Sequence, residues 1–519
     1  MSSTRSPRSW TLLRHAPAWP LAAVAAGLWL IAPPATGDMT AQRYRASLGL
    51  VVWDNGWYGG HHMPGYSVVF PLLASIAGPL VVGALSAVAS AWCFERLVAD
   101  LPGGRVAAAW FAVATVTTLI TGRLTFALGL AFALGAVLAA TRGRGGWLWL
   151  ACALGVLTSL SSPVAGAFLA LAAAAWWLDA RGGWPVALAA SALLPAGAVA
   201  LAFPEGGTFP FVASSFWPAL AAAVALAALL PPSPRVLRIG AVLYAAAIAA
   251  AFVLSSPMGG NVVRLGALVA GPVAAAVLWP RRPLALALVA LPLVYWQWYA
   301  PIDNWVRAAG DPSTSGAYYH GVAAFLDHRP TRVEVPFTEN HGEAEFLAPR
   351  VPLTRGWERQ LDIARNGLFY DGRPLTPARY RRWLDDNAVG YVALADAPPD
   401  ASGVAEARLV RGGLPYLREV YRDAHWRVFR VTRARALARG AAAVTAIDSG
   451  AVRLRARRAG TVDLRVRYTP YWELVRGRGC VSEGPGGWTQ LRLDGPGSAV
   501  LEPRFALSRV RATSPRCSR

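Results

Sequence analysis

Lysine is absent: all fifty basic residues of this chain are arginine. With so much alanine and glycine beside them, this reads as the composition of a GC-rich bacterial genome. It does not by itself argue for nucleic acid, whose binding needs a basic cluster on one accessible face. Carboxylates are nearly missing from the first three hundred residues, where only Asp38, Asp54, Glu95, Asp100, Asp179 and Glu205 occur. A water-exposed surface of that length needs far more charge, so a soluble fold is excluded there and this half reads as immersed in lipid. No G-x-S-x-G, H-E-x-x-H, Walker A, zinc-type Cys/His spacing or G-x-G-x-x-G ahead of a helix is present. Hydrolase, metalloprotease and nucleotide-driven readings therefore lack support.

Apolar runs take the place of charge. A spanning helix needs about 20 mostly apolar residues. Eleven such runs, some shorter, stand between Gly, Pro and Arg: 17–34, 67–94, 106–121, 124–140, 147–160, 164–178, 184–203, 211–230, 239–254, 262–279 and 284–299. The short runs at 106–121 and 147–160 read as less tilted helices or as broken helices lining a cavity. A cytoplasmic N-terminus places Arg5, Arg8, Arg14, Arg96, Arg105, Arg142, Arg144, Arg181, Arg235, Arg238, Arg281 and Arg282 inside. Only Arg43, Arg45, Arg123 and Arg264 then fall at the outer surface. That positive-inside bias and the odd span count predict a multi-pass cell-membrane protein with an extracytoplasmic C-terminal domain. The first run has the basic start and small residues of a signal peptide, but ten spans follow it and a retained anchor is expected.

The expected architecture is thus an α-helical polytopic membrane domain (1–300, about eleven spans), an extracytoplasmic α/β domain (301–432) and a β-rich, sandwich-like domain (433–519). From Pro301 onward 34 arginines meet 23 carboxylates, an ordinary density for a hydrated surface. VAAFLDH and LTPARYRRWLDDNAV read as helices, RVEVPF and YVALAD as strands, and LREVYRDAHWRVFRV as one or two strands. The alternating VRLRARRAGTVDLRVRYTPYWEL reads as antiparallel strands joined by a turn at Ala459-Gly460. Cys93 and Cys152 fall in spans as small buried groups. Cys480 and Cys517 lie in the exported part and are able to pair.

Polar residues gather at the outer face. The first outer loop, GDMTAQRYRASLGLVVWDNGWYGGHHMPGY, carries acids, histidines and aromatics well beyond what a connection needs, although an interfacial belt is a second, lesser reading of its Trp and Tyr. Asp38 ends the first helix, where a carboxylate has little structural purpose. His61 and His62 form a weak metal signal, since nothing with ligand spacing stands beside them. Arg123, in the turn TGRLTF, and Arg264, after SSPMGGNVV, sit at helix mouths where an arginine is costly unless paired. Each would either snorkel to the headgroups or bind phosphate through its fork. In the C-terminal half the richest polar cluster is Glu339, Asn340, His341, Glu343, Trp357, Glu358 and Arg359, suited either to carbohydrate hydroxyls or to docking on the membrane mouth.

One helix ending in an acid, then a long outer loop with WYGGHHMPGYSVVFP entering the second span, resembles the GT-C superfamily of membrane glycosyltransferases. RVEVPFTENHGEAEFLAP and LTRGWERQLDIARNGLFY are similar to exported domains of actinobacterial membrane proteins related to that group. The resemblance implies transfer of a sugar from a polyprenyl-phosphate donor to a cell-envelope glycan or protein acceptor. It implies Asp38 as the first-loop catalytic carboxylate and general base. Arg123, Arg264 and Asn261 would hold the donor phosphate, and Asp54, His61, His62, Tyr66, Glu205, Glu339 and His341 would contact substrate. The family's paired acids are missing here, which leaves a divalent metal unsupported; membrane lipid, but no nucleic acid, is the other expected partner. Two further readings stand beside it. One is a secondary transporter or flippase, which the lack of ionisable residues deep in the spans disfavours; the other is a non-catalytic envelope-assembly protein.

Overall fold

The computed structural model describes residues 17–143, 145–327, 329–510 and Cys517. Among them seven helices are long and apolar enough to cross a membrane, and four shorter apolar helices accompany them, at Trp19–Ile31, Gly104–Ile120, Gly146–Ser161 and Ala213–Leu229. These eleven rods coincide with the eleven predicted runs. Large apolar side chains point outward, Trp149, Leu284, Leu288 and Leu291 each being at least 77% exposed. Such a surface is tolerated in lipid and not in water. Inward faces are small: Ala107, Ala112, Ala136, Ala219 and Ala275 are wholly buried, letting backbones approach closely as membrane helices do.

Two predicted spans are interrupted. The run at 67–94 is two helices, Val69–Ala77 and Pro79–Leu97, because Gly78 takes a positive φ and Pro79 cannot continue the ladder. The run at 106–121 divides at Thr115 into Gly104–Ala114 and Val116–Ile120, and Thr117 and Thr118 of the second segment line a cavity, whereas Gly146–Ser161 is unbroken. The last membrane helix, Pro283–Ala308, passes the boundary expected at residue 300 and carries Asn304 and Arg307 beyond the apolar zone. Arg5, Arg8, Arg14 and Arg144 lie outside the described residues. The remaining arginines assigned to the inner side all fall at the bundle end opposite the C-terminal domain.

The α/β unit is a four-stranded sheet of order β3-β4-β6-β5: β3 (Arg332–Glu334), β4 (Val389–Ala395), β5 (Leu417–Arg422) and β6 (Trp426–Val431). β3 runs parallel to β4, and the other pairs are antiparallel. The sandwich follows as two four-stranded sheets, β12-β13-β10-β7 and β11-β14-β9-β8. Their strands are β7 (Ala438–Gly440), β8 (Ala442–Ile447), β9 (Val452–Ala456), β10 (Gly460–Arg467), β11 (Trp472–Arg476), β12 (Gly479–Glu483), β13 (Trp488–Leu493) and β14 (Gly497–Pro503). Alternating Val452, Leu454, Val462, Leu464 and Val466 fill the space between the sheets. β9 and β10 are not partners, contrary to the expected hairpin: β9 pairs with β8 and β14, β10 with β7 and β13, and the Ala459-Gly460 turn crosses from one sheet to the other. Cys480 and Cys517 are joined as a disulfide.

The first outer loop is a pedestal instead of a lipid-facing belt. Gly37–Leu48 is a helix, and β1 (Trp53–Asp54) pairs with β2 (His61–His62) in register Trp53↔His62 and Asp54↔His61. Trp53 enters the sandwich core against Trp472, while Tyr44, Trp57 and Tyr58 enter the core of the α/β unit. Those rings are buried, so the two C-terminal units are seated on this loop.

Candidate functional site

The helix Gly37–Leu48 begins at the mouth of the bundle and carries Asp38 in its first turn, where the free N–H groups of the helix favour an anion. The turn Thr121–Arg123 packs directly on it. Gly122 has φ +71°, and a methyl group there would overlap the backbone of Asp38 and Met39. Only glycine fits this contact. It sets Arg123 so that its Nε donates to Asp38 Oδ2 at 3.3 Å, both side chains remaining partly exposed.

Arg264 enters from the start of another helix, Val263–Leu278, after the turn Gly259–Val262 that holds Asn261. Its guanidinium lies 5.8 Å from the Phe126 ring centroid. Among the described residues it faces no carboxylate within ion-pair distance, so it is a cation held at the mouth without a protein counter-ion.

Asp38, Tyr66, Arg123, Asn261 and Arg264 line one cavity of about 490 Å³, roofed by Glu339, Asn340, His341, Trp357, Arg359 and Asp400 of the C-terminal domain and by Asn304 and Arg307 of the last membrane helix. A second, apolar cavity of about 890 Å³ adjoins it and shares Arg123, Val263 and Arg264. Its walls are the helices Ala213–Leu229, Val263–Leu278 and Pro283–Ala308. Pro218, Ala221, Pro292, Tyr295 and Tyr299 on its rim are exposed on the bundle surface, so it opens sideways to where lipid lies. Thr117, Thr118 and Thr121 bend their hydroxyls back to their own helix, which leaves that wall apolar in effect.

The roof is cross-linked by charge. Arg307 donates to Glu339 at 2.8 Å, Arg359 to Asp400 at 2.9 Å, and Asn340 to Asp311 at 2.7 Å. His341 stands 3.8 Å from Asp400 and 3.6 Å from Glu343. Burial would lower its pKa, but the two carboxylates outweigh it and push the imidazole up to about 9, so it is a cation at neutral pH. Arg45, paired with Glu358, lies 3.9 Å over the Tyr66 ring and fixes that ring in the wall.

Four of the substrate-contacting residues expected from sequence lie elsewhere. Asp54 is wholly buried, accepts from Tyr44 and the Gly56 amide, and is pushed up to about 7 by that burial. His61 is buried beside it and lowered to about 3 by desolvation. His62 bonds Thr469 at 2.9 Å, and Glu205 accepts from Arg365 at 2.7 Å. His62 and Glu205 stitch the first loop and the loop at 203–210 to the C-terminal domain, while Asp54 is bonded within the first loop itself. Burial raises Glu205, but Arg365 and His62 outweigh it and hold the carboxyl down to about 2. A carboxyl lowered in the folded state stabilises it fully above its ordinary value near 4.5 and progressively less as pH falls toward 2. Glu205→Gln is therefore expected to flatten the acid limb of a pH series of melting temperatures while leaving transfer intact.

Arg307 and Asp400 escaped sequence reading. Arg307 had a signal, an arginine two turns past an apolar run with Asp303 and Asn304 beside it. Asp400, in the loop APPDAS, had none.

The fold and site together define a polytopic membrane protein whose helical bundle opens, under a mixed α/β and β-sandwich domain, into a charged cavity joined to an apolar one. No family profile and no curated protein matches the chain. Among solved structures it is similar to the cryo-EM structure of a mutant arabinofuranosyltransferase AftD from mycobacteria, with a TM-score of 0.48 and 15% identity, over 91% of this chain and 44% of that one. The chain thus spans less than half the length of that protein.

Proposed function

We propose that this protein is a membrane glycosyltransferase that moves a sugar from a polyprenyl-phosphate donor to an acceptor of the cell envelope on the extracytoplasmic side. The observation that carries the reading is the meeting of Asp38, Arg123 and Arg264 at the junction of a polar cavity with an apolar one that opens toward lipid. A prenyl chain suits the apolar cavity. Its phosphate then falls beside Arg264, the cation that lacks a counter-ion, and a bidentate guanidinium–phosphate contact fits there. The positive-inside bias of the inter-helix arginines supports an outward site.

The chemistry follows from the same groups. Asp38 takes the proton of the acceptor hydroxyl as its oxygen bonds to the anomeric carbon, and the bond from that carbon to the phosphate oxygen breaks. Polyprenyl phosphate departs with the negative charge, which Arg264 and Arg123 stabilise. Arg123 also keeps Asp38 oriented, and Asn261 and Tyr66 bound the donor pocket. Glu339, His341, Asp400 and Arg359, on the roof, are placed to hold acceptor hydroxyls.

Purified protein in nanodiscs, supplied with polyprenyl-phosphate pentoses or hexoses and an envelope glycan, is expected to release free polyprenyl phosphate only when acceptor is present; mass spectrometry reads the release. Binding of the donors without acceptor-dependent release from any of them would sink the proposal. Gly122→Ala is expected to displace the turn from the Asp38 helix and to slow release on the order of 10²-fold, the usual cost of an ångström-scale misplacement. A fully active Gly122→Ala protein would show that the Arg123–Asp38 contact does not matter.

A further inference from the structure

The net positive charge of the C-terminal half belongs to its last stretch of sequence. Residues 301–432 hold seventeen arginines and seventeen carboxylates, whereas residues 433–519 hold seventeen arginines against six carboxylates. Within the sandwich the two ends differ. One is docked: Asn55 bonds Asp448 and Ser449, His62 bonds Thr469, the Tyr471 hydroxyl donates to Ala202, and the Phe203 and Phe505 rings meet.

The other end is built from the turns after β9, β11 and β13, with the β7–β8 turn at Ala441 packed beside them. Strand direction puts these turns together: β9, β11 and β13 all run away from the docked end, and β10, β12 and β14 return to it. Arg457 and Arg458 lie in the first turn, Arg476 and Arg478 flank the second, and Arg455 and Arg492 stand on the adjoining strands. All six are exposed, and among the described residues none is within ion-pair distance of a carboxylate. Asp494 is the one acid in the three turns. At about 3.3 Å per residue, the eight-residue β10 holds this end roughly 25 Å beyond the docked one. That is about three Debye lengths at physiological salt, so charge at this end is screened from charge at the docked one.

We infer that this end of the sandwich is a docking surface for an anionic glycan, a polymer bearing carboxylate or phosphate groups. Six clustered like charges repel one another, and a polyanion removes that repulsion while its repeating charges match guanidiniums spread over three turns. The inference rests on the outward placement of this domain. On that side the polymers in reach are those of the envelope, which favours a polyanionic glycan over nucleic acid.

Full-length protein in detergent is expected to retain fluorescent hyaluronate, a polyuronate, but not neutral dextran, with binding that weakens at least about tenfold as salt rises from low to physiological strength and beyond. Replacing Arg455, Arg457, Arg458, Arg476, Arg478 and Arg492 by serine should cost at least about tenfold in hyaluronate affinity. The melting temperature should not fall, since like-charge repulsion is relieved, and acceptor-dependent release of polyprenyl phosphate should be unchanged, because none of the six lines the cavity. Should that variant melt early, Arg455→Ser/Arg492→Ser on the strands and Arg457→Ser/Arg458→Ser in the turn, tested separately, are each expected to weaken binding at least twofold. No retention of hyaluronate at low salt overturns the inference, as does equal retention by every variant. Stronger binding of anionic phospholipid vesicles or of RNA than of hyaluronate does so too. Any of these with release intact removes the docking surface and leaves the transferase reading standing.

Discussion

Asp38→Asn is expected to lower transfer by two to four orders of magnitude, the usual contribution of a positioned general base, while the protein remains folded and inserted. The amide keeps the shape of the carboxylate and an oxygen for Arg123, so what is lost is the capacity to accept a proton. Few other groups can replace it. Asp54 and Glu205, the other carboxylates of the adjoining loops, are committed to Tyr44, Gly56, Arg365 and His62 and do not line the cavity. Glu339 and Asp400 do line it but are held by Arg307 and Arg359 in the roof. The measurement is the rate of polyprenyl phosphate release by wild type and variant at saturating donor; an Asp38→Asn protein as fast as wild type would remove Asp38 from the mechanism.

Arg264→Gln is expected to show the second largest loss, on the order of 10² to 10³ in rate, as when one preorganised stabiliser of departing charge is removed. It should also weaken retention of polyprenyl phosphate in native mass spectrometry. Arg123→Gln should act differently, because Arg123 already neutralises Asp38 and its loss frees that carboxylate as well. Arg264 has no such partner among the described residues, so removing it strands no buried anion and the fold should tolerate the change. Arg264→Lys keeps the charge but loses the two-pronged geometry and should recover only part of the rate. Unchanged lipid-phosphate retention in Arg264→Gln would place the phosphate elsewhere.

The membrane half was legible because lipid imposes a simple demand, backbone hydrogen bonds closed within apolar helices, and composition reports it directly. The breaks followed local chemistry, Gly78-Pro79 most plainly. Asp38, Arg123 and Arg264 stand in sequence where a charge is costly, and the cavity brings those three together. Asp54, His61, His62 and Glu205 carry the same signal in sequence, and the structure places them outside that cavity. A polar group that fastens a loop to a neighbouring domain looks, in one dimension, like a polar group that awaits a ligand, and only the tertiary contacts with Thr469 and Arg365 distinguish them. In the sandwich, alternation reported which side chains of β9 and β10 face inward but not which strands they pair with, since period-two patterning is the same on either sheet. The arginine-rich end was illegible for a related reason: single-file counting placed the basic residues along the chain and not on the three turns that β-strand topology assembles.

In the proposed complex a lipid phosphate sits between Arg264 and Arg123 with its tail in the apolar cavity. A cryo-EM structure of the protein in nanodiscs containing a polyprenyl-phosphate sugar tests it directly. Phosphate density is expected within hydrogen-bonding distance of the Arg264 guanidinium, with the sugar facing Asp38 and the first isoprene units between the helices Ala213–Leu229 and Pro283–Ala308. Lipid bound at a different surface, with Arg264 and Asp38 facing solvent alone, would contradict it.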